Sequence, residues 1–517
     1  MDSILSVTAQ NAARVAVRDR EREWTYAGLE NLVAGLTAGL QREGFGPQTL
    51  LAVALPHRVE QLAVHLAAFR LGIPLVRLDA SYAPPQLAYC LRLTQPRGMI
   101  TDQSLAGVLA KTEIPHSVAS IWMVGGGVEA SRDFAELLET PGVPAAEAVV
   151  SDLEPAALAT ITFTSGTTAR PRGVVHTRQA VEAALTRNRG LLQPTAEDVV
   201  LVRAPLHSQV GLLIQSLPTL AVGGQIELHS EKEVDAYVAA LRRGPAKTVI
   251  ADNPSMLLKL FRHPHVTTVE LERLRWILSG GDWVSRRLRT LVHEITGRDV
   301  AVIYGLTEVG LVSCRGKSTP DQSPMSVGRP LPDTAISIRD GAGDAVPPGA
   351  SGQIWVRTSS QMSEYWQAPE LTGTVMTTDG WIATGDVGSW CPTGELILEG
   401  RQKDMMVRGA YKVSPLEVEA VLLLHPAVQE VGVTGVTLTT SEGDNQEILA
   451  CVVLRDGFEP RPSEADLRQL AAERLSALMV PDRVRFVRRL PLHPTGKLDR
   501  GRLWVLAEAD DLDSLSV

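Results

Sequence analysis

The feature that most constrains this chain is an alternation, over roughly its first three hundred residues, of short apolar runs with helix-like stretches. Strand-like runs lie at Leu50–Leu55, Pro74–Leu78, Ile121–Val124, Val199–Val202, Thr248–Ala251, Trp276–Leu278 and Val300–Ile303. Between many of them, Tyr26–Glu43, Val59–Arg70, Val234–Arg242, Met256–Phe261 and Val284–Glu294 carry helical patterns. Strands and helices that alternate in this way form mostly parallel sheets with helices on their faces.

The texture changes after about Ala335. Ile336–Arg339, Gln353–Arg357 and Leu396–Glu399 read as strands separated by Gly/Pro turns, which predicts a smaller β-rich section. A last segment begins near Gly400. It has a helix at Pro415–Leu424 stopped by Pro426, strands at Val428–Val433 and Glu447–Leu454, and a helix opening at Ser463, with Asp466 three residues on as a capping box. With 517 residues the chain is too long for one core. The expected division is 1–400, a compact α+β unit at 401–503, and an acidic, unstructured tail at 504–517.

Composition excludes several classes. The net charge of −9 and the lack of a long Lys/Arg run argue against nucleic-acid binding. Cys90, Cys314, Cys391 and Cys451 are far apart in sequence, so no CxxC metal or redox spacing exists. The N-terminal ten residues lack a basic-then-apolar pattern, and no apolar run reaches about 18 residues, so neither a signal peptide nor a membrane span is expected. A reducing cytoplasm is the expected compartment. Oligomeric state is not legible.

The sharpest motif runs from Thr164 to Gly173, with Ser165, Gly166, Thr167, Thr168, Ala169, Arg170, Pro171 and Arg172 between, after the apolar run Leu158–Phe163. A loop crowded with Ser, Thr and Gly offers N–H groups and hydroxyls to phosphates, and a basic residue at its end neutralises charge. By itself it reads equally well as a polar turn between a strand and a helix. Further motifs follow in order: Tyr304-Gly305-Leu306-Thr307-Glu308; Gly380-Trp381 with Thr384-Gly385-Asp386; Gly400-Arg401-Gln402-Lys403-Asp404 with Gly409 and Val413–Glu419; and Pro494–Arg500, which holds Lys497. Together with Trp24-Thr25-Tyr26 and Leu71–Pro74, this series resembles the signatures of the adenylate-forming superfamily of acyl-CoA synthetases, peptide-synthetase adenylation domains and luciferases, and covers nearly the whole chain.

The resemblance implies an α/β fold. A large N-terminal domain of mostly parallel sheets flanked by helices, with a β-rich subdomain, is joined by a hinge to a small mobile α+β C-terminal domain. It also implies a reaction that joins a carboxylate to the α-phosphate of ATP, expels pyrophosphate and passes the acyl group to a thiol. Two anions must approach, so cations and N–H donors must neutralise the developing charge. In this reading Glu308 holds Mg²⁺ and Thr307 bonds the α-phosphate. Tyr304 stacks on adenine, with Gly280 and Gly281 at its edge, Asp386 takes the ribose diol and Arg401 the ribose or phosphate. Lys497, a compact charge on a flexible stem, enters from the small domain during adenylation. Lys403 is the hinge, and Gly409 lets the coenzyme A arm pass close to the backbone.

Two positions depart from the family loop, Ala169 for Gly and Arg172 for Lys. The weakened part is the one that holds the β- and γ-phosphates. An enzyme that uses ready-made acyl-AMP, supplied by a separate adenylating enzyme, is therefore an alternative to the full two-step ligase. The acyl element reads Pro205-Leu206-His207-Ser208-Gln209-Val210-Gly211, with His207 and Ser208 at the family's aromatic and His positions. No acidic residue lies between Arg203 and Val222 to pair with a substrate ammonium, which argues against an α-amino acid. Leu306, Gly310, Leu212 and Ile214 suggest an apolar, roomy pocket for an aryl or bulky acid, with an aliphatic one also open. Loading of a carrier protein and non-catalytic acyl-AMP binding are the remaining alternatives. The 17 residues after Arg500 are expected to hold no carrier domain.

Overall fold

The structure is a computed structural model. It describes residues 11–515 apart from 20–21, 128–130, 139–152, 165–170, 230–233, 244–247, 268–271, 273, 317–322, 324, 409–410, 441–442, 493–497 and 510–511.

The alternating region folds into two sheets. In one, Leu158–Thr164, Leu75–Arg77, Leu51–Ala54, Gly98–Asp102, Ser120–Val124 and Arg132–Asp133 run parallel in that spatial order. Arg172–Thr177 and Glu364–Tyr365 add antiparallel strands at one edge. In the other, Val15–Asp19, Gln225–Leu228, Val199–Val202, Thr248–Asp252, Leu274–Gly280 and Ala301–Leu306 are parallel neighbours. The helix Val59–Leu71 is buried along most of its length and shares one apolar core with residues of both sheets.

The expected β-rich section is present, but it is not a separate sheet. Gly310–Arg315, Ser326–Pro330, Leu396–Arg401, Ile382–Trp390, Gly352–Thr358 and Thr334–Arg339 continue the second sheet as antiparallel neighbours beyond Ala301–Leu306. Thr334–Arg339 is followed directly by Gly352–Thr358 and Ile382–Trp390 by Leu396–Arg401, and strands joined in this way without a crossover pair antiparallel.

After Arg401 the chain builds its own apolar clusters. Val428–Thr440 pairs antiparallel with Gly443–Leu454, which pairs parallel with Arg483–Phe486. Pro415–Leu422 and Glu464–Ala472 pack on this sheet. The capping box forms as read, with Ser463 Oγ accepting from Asp466 N and Asp466 Oδ2 from Ser463 N.

The unstructured tail is a correction. Helix Arg500–Glu508 runs through the expected boundary, and Leu503, Ala507, Leu512 and Leu515 are all buried against Cys451 and Val453. Acidic residues punctuate this segment, but its leucines fall on one buried side, which composition alone hides.

Candidate functional site

Parallel strands present their loops at their C-terminal ends, and the predicted residues gather there. Leu274–Gly280 ends in Gly280-Gly281. A Cβ at Gly280 would sit 2.3 Å from the Ile303 carbonyl oxygen, and Gly281 has φ +76°. Glycine at this pair therefore lets the backbone pass against the neighbouring strand.

Ala301–Leu306 turns back at Thr307–Val309 into Gly310–Arg315, with Leu306 opposite Gly310. Thr307 and Glu308 thus lie at the tip of a tight hairpin. Two contacts brace it: Gln209 Nε2 donates to the Thr307 carbonyl at 2.7 Å, and Met362 N donates to the Glu308 carbonyl at 2.7 Å. The Tyr365 hydroxyl donates to Glu308 Oε1 at 2.9 Å, and the Arg172 guanidinium lies 5.7 Å from the centre of the Tyr365 ring.

Asp386 lies opposite Arg401 across two paired strands, and Arg401 Nε reaches its Oδ1 at 2.8 Å. Tyr304 Oη donates to Asp386 Oδ2 at 2.6 Å. Asp386 is 3% exposed. Burial pushes its carboxyl above the usual carboxylate range, Arg401 and Tyr304 oppose that, and Glu308 and Asp404 add to it. Burial and Asp386 together hold the Tyr304 hydroxyl protonated. Each oxygen of Asp386 keeps a further lone pair for another donor.

The phosphate-type loop joins two strands, Leu158–Thr164 and Arg172–Thr177, with Thr164 opposite Arg172, and does not lead into a helix. Thr164 and Arg172 flank it, whereas Ser165, Gly166, Thr167, Thr168 and Ala169 lie outside the described residues, as do Gly409 and Lys497. Lys403 is exposed in a short turn, Gln402–Asp404, immediately after the last strand of the large sheet.

The acyl element divides. The Ser208 hydroxyl donates to the Pro205 carbonyl and accepts from Gly211 N, so it holds the turn together. Gly211 is required by packing, since a Cβ would stand 2.3 Å from the carbonyl oxygens of Ala204 and Pro205. The segment continues as a π-helical turn, Val210–Ser216, an irregularity common at functional sites. His207 is held below its usual pKa by burial, with Asp79 opposing at 3.7 Å from its Nε2.

The expectation of an apolar wall at Gly310 needs correction. Gly310 has φ +73°, and a Cβ there would lie 3.0 Å from Arg187 Nη2 and Ser360 Oγ, and 3.6 Å from Gln209 Oε1. The space that the glycine leaves is bordered by polar groups. Leu212 and Ile214 are 3% exposed and belong to the central core.

Sequence reading missed Tyr365, His176, Arg187 and Arg77. His176 Nε2 is 3.5 Å from Gln209 Nε2, and Arg187 donates to the hydroxyls of Thr358 and Ser360. None stands in a quoted motif. The one signal available was a charged residue inside an apolar strand run, Arg77 following Pro74–Val76.

A model of the AMP-binding enzyme family matches residues 6–366, and one of the AMP-binding enzyme C-terminal domain matches 417–497. The chain is 31% identical over 505 residues to a 2-succinylbenzoate–CoA ligase of Geobacillus kaustophilus, covering 95% of this chain and 94% of that one. It is 28% identical to an indoleacetate–CoA ligase of Aromatoleum aromaticum, over 94% of this chain and 93% of that one. Among solved structures it resembles an amide bond synthetase, McbA, of Marinactinospora thermotolerans, with TM-score 0.85 and 29% identity over 98% of this chain and 99% of that one.

Proposed function

We propose that this chain, which belongs to the AMP-binding enzyme family, is an acid–thiol ligase of the acyl-CoA synthetase kind. A carboxylic acid attacks the α-phosphate of ATP and releases pyrophosphate. The thiol of coenzyme A then takes the acyl group from the acyl-AMP and releases AMP. The carrying observation is Asp386, buried between Tyr304 and Arg401 and in electrostatic reach of Glu308 at the hairpin tip. This arrangement fits a nucleoside monophosphate: a carboxylate with spare lone pairs for a ribose diol, a cation beside it and an aromatic ring beneath.

Within this reading Thr307 bonds the α-phosphate, and Gly280-Gly281 gives the adenine edge a backbone wall. The described residues hold no cluster of three His, Cys, Asp or Glu side chains. Glu308 therefore fits a Mg²⁺ that arrives with its phosphates and takes one protein carboxylate. Bound there, the ion would neutralise charge on the phosphate oxygens. Tyr365 orients the Glu308 carboxylate, and Arg172 beyond it faces the polyphosphate end. Lys497 supplies positive charge to the reacting oxygens during adenylation.

The relatives named for indoleacetate and 2-succinylbenzoate support an aryl or bulky non-amino acid as substrate. No helix is long and apolar enough to cross a membrane among the described residues. The free cysteines agree with a reducing cytoplasm. The likeness to an amide bond synthetase favours a second reading, in which an amine takes the acyl group. Pyrophosphate exchange over a panel of acids, run beside thioester and amide formation from synthetic acyl-AMPs, tests both. Brisk exchange with thioester formation is the expected result. Absence of exchange and of acyl transfer with every acid would refute the ligase.

A further inference from the structure

A cavity of about 40 Å³ lies between the Leu75–Arg77 and Leu158–Thr164 strands, the Val59–Leu71 helix and the Val210–Ser216 turn. Its walls are mostly apolar, with Phe69 and Leu213 among them, but His65, Arg77, Thr160 and Arg178 also line it; Arg178 donates to the Phe69 carbonyl at 2.8 Å and lies over the Phe69 ring. It backs onto the acyl element, because Arg77 Nε and Nη2 both donate to the His207 carbonyl, the former at 2.9 Å.

Three of these polar groups, His65, Arg77 and Thr160, are unusual for a core. Arg77 is 3% exposed and has no carboxylate partner among the described residues. Burial lowers its pKa only to about 10, so it stays charged at neutral pH. With Nε and Nη2 committed to His207, its Nη1 has no partner among the described residues. His65 Nδ1 lies 2.7 Å from the Gln61 carbonyl oxygen, which only accepts, so the ring proton sits on Nδ1. Burial and Arg77 hold the ring neutral, with a pKa of about 3. Its Nε2 is therefore a bare acceptor, and it has no partner; nor has Thr160 Oγ1.

Beside Arg178, which is held by Phe69, the cavity thus offers the Nη1 donor of Arg77, a neutral acceptor on His65 and the Thr160 hydroxyl. A carboxylate would accept from Arg77 but has no proton for His65, and an ether or carbonyl has the same defect. A hydroxyl oxygen accepts from Arg77 and Thr160 and donates to His65. The volume holds about three non-hydrogen atoms, the tip of a molecule and not its body. We propose that this cavity is the distal subsite of the acyl pocket, and that the acid the enzyme selects ends in an aryl hydroxyl. A phenol suits better than an aliphatic alcohol, since the walls are apolar and the nearby cation favours an electron-rich, acidic oxygen. The inference deepens the ligase reading and rests on it.

The test compares aryl acids that differ only in the distal group: hydroxyl, methoxy, hydrogen or carboxylate. Thioester formation is measured in the wild type, Arg77→Met, Arg77→Lys and His65→Leu, with melting temperature and near-UV circular dichroism as checks of folding. The wild type should favour the hydroxyl acid in kcat/KM by at least about tenfold over the hydrogen and methoxy acids. Arg77→Met and His65→Leu should each lose that preference, Arg77→Lys should keep part of it, and KM for ATP should move less than about twofold. Three results would each overturn the inference while the ligase reading stands: equal wild-type rates for hydroxyl and hydrogen acids, preference for the carboxylate acid, or a hydroxyl preference that survives in both variants. Equal rates would also mean that the cavity merely holds water. Should Arg77→Met fail to fold, His65→Leu alone decides. Should the wild type acylate no thiol, the ligase reading falls, and calorimetric binding of the same acids decides the subsite. Hydroxyl-acid affinity at least about tenfold above that of the hydrogen acid, lost in the variants, upholds it, and equal affinity overturns it.

Discussion

Tyr365 shows how one side chain couples two motifs that are far apart in sequence. Its hydroxyl holds Glu308, while its ring lies under Arg172. Tyr365→Phe keeps the ring and removes the hydrogen bond, leaving the Glu308 carboxylate free to reorient. Pyrophosphate exchange should fall about 10- to 150-fold, the weight of one hydrogen bond to a charged group, with little change in acyl transfer from supplied acyl-AMP. A variant that exchanges pyrophosphate at the wild-type rate would show that Glu308 needs no such support. Three histidines carry a pH dependence at the same scale. Burial first, and nearby Arg203 or Arg77 with it, lowers His57 and His65 to about 3 and His176 to about 4. Unfolded histidine titrates near 6.5, so each ring takes up a proton on unfolding at pH values below that. Their folded pKa values are depressed, so the stability they contribute is present above about pH 6.5 and lost as pH falls toward 4. The slope reaches about 1.4 kcal/mol per pH unit for each ring, or about 4 for the three together. The melting temperature should therefore drop steeply between pH 7 and pH 5, and a flat profile over that range would contradict the burial of these rings.

At the scale of elements, strands and helices with a strong local pattern were legible, and those whose existence depends on distant partners were not. Val199–Val202 has its expected limits because four consecutive apolar residues are buried on both sheet faces. The edge strand Arg22–Thr25 is mostly polar and exists through its pairing with Val15–Asp19, which no local pattern reveals. The π-helical turn at Val210–Ser216 carries no local pattern that marks it in the sequence. The site divides in the same way: Asp386, Tyr304 and Glu308 stand in motifs, whereas Tyr365, Arg77 and His176 reach it only through folding. The phosphate loop is an element whose flanks, Thr164 and Arg172, face each other across a hairpin. If Ala169 there must adopt positive φ, the strain is about 1–2 kcal/mol. The double change Ala169→Gly with Arg172→Lys should then raise pyrophosphate exchange roughly 5- to 30-fold. Acyl transfer from supplied acyl-AMP should hardly move, since it no longer involves the β- and γ-phosphates. Brisk exchange in the wild type with no gain in the double variant would make the loop a tolerated one in an ordinary two-step ligase.

At the scale of the molecule, one site must serve two reactions that need different groups near the acyl carbonyl. The large sheet ends at Arg401, and the chain beyond it builds separate cores. Burial opposes the charge of Arg500 in that last segment, and Glu419, which takes two hydrogen bonds from it, with Asp404 and Asp282 beside Gly281, raises its pKa all the same. We propose that the residues after Lys403 turn as a unit between the two reactions. Lys403 is exposed in the turn that follows the last strand of the large sheet, where a change of backbone angle would swing everything after it. Lys403→Pro fixes φ near −65° and should trap one orientation, lowering one half-reaction at least about tenfold more than the other. Near-wild-type rates for both would remove Lys403 from the hinge. Lys497 is the complementary case, three residues before Arg500 in sequence. A lysine carried by the turning unit can lie near the α-phosphate in only one orientation. In this proposal its charge serves while the carboxylate attacks ATP, and it has no task when the thiol attacks the acyl carbonyl. Lys497→Ala should therefore lower pyrophosphate exchange by about a hundredfold or more, while thioester formation from synthetic acyl-AMP stays within about threefold of wild type. Equal loss in both reactions would mean that the lysine serves a single fixed site, and that one orientation of the small unit suffices for all of the chemistry.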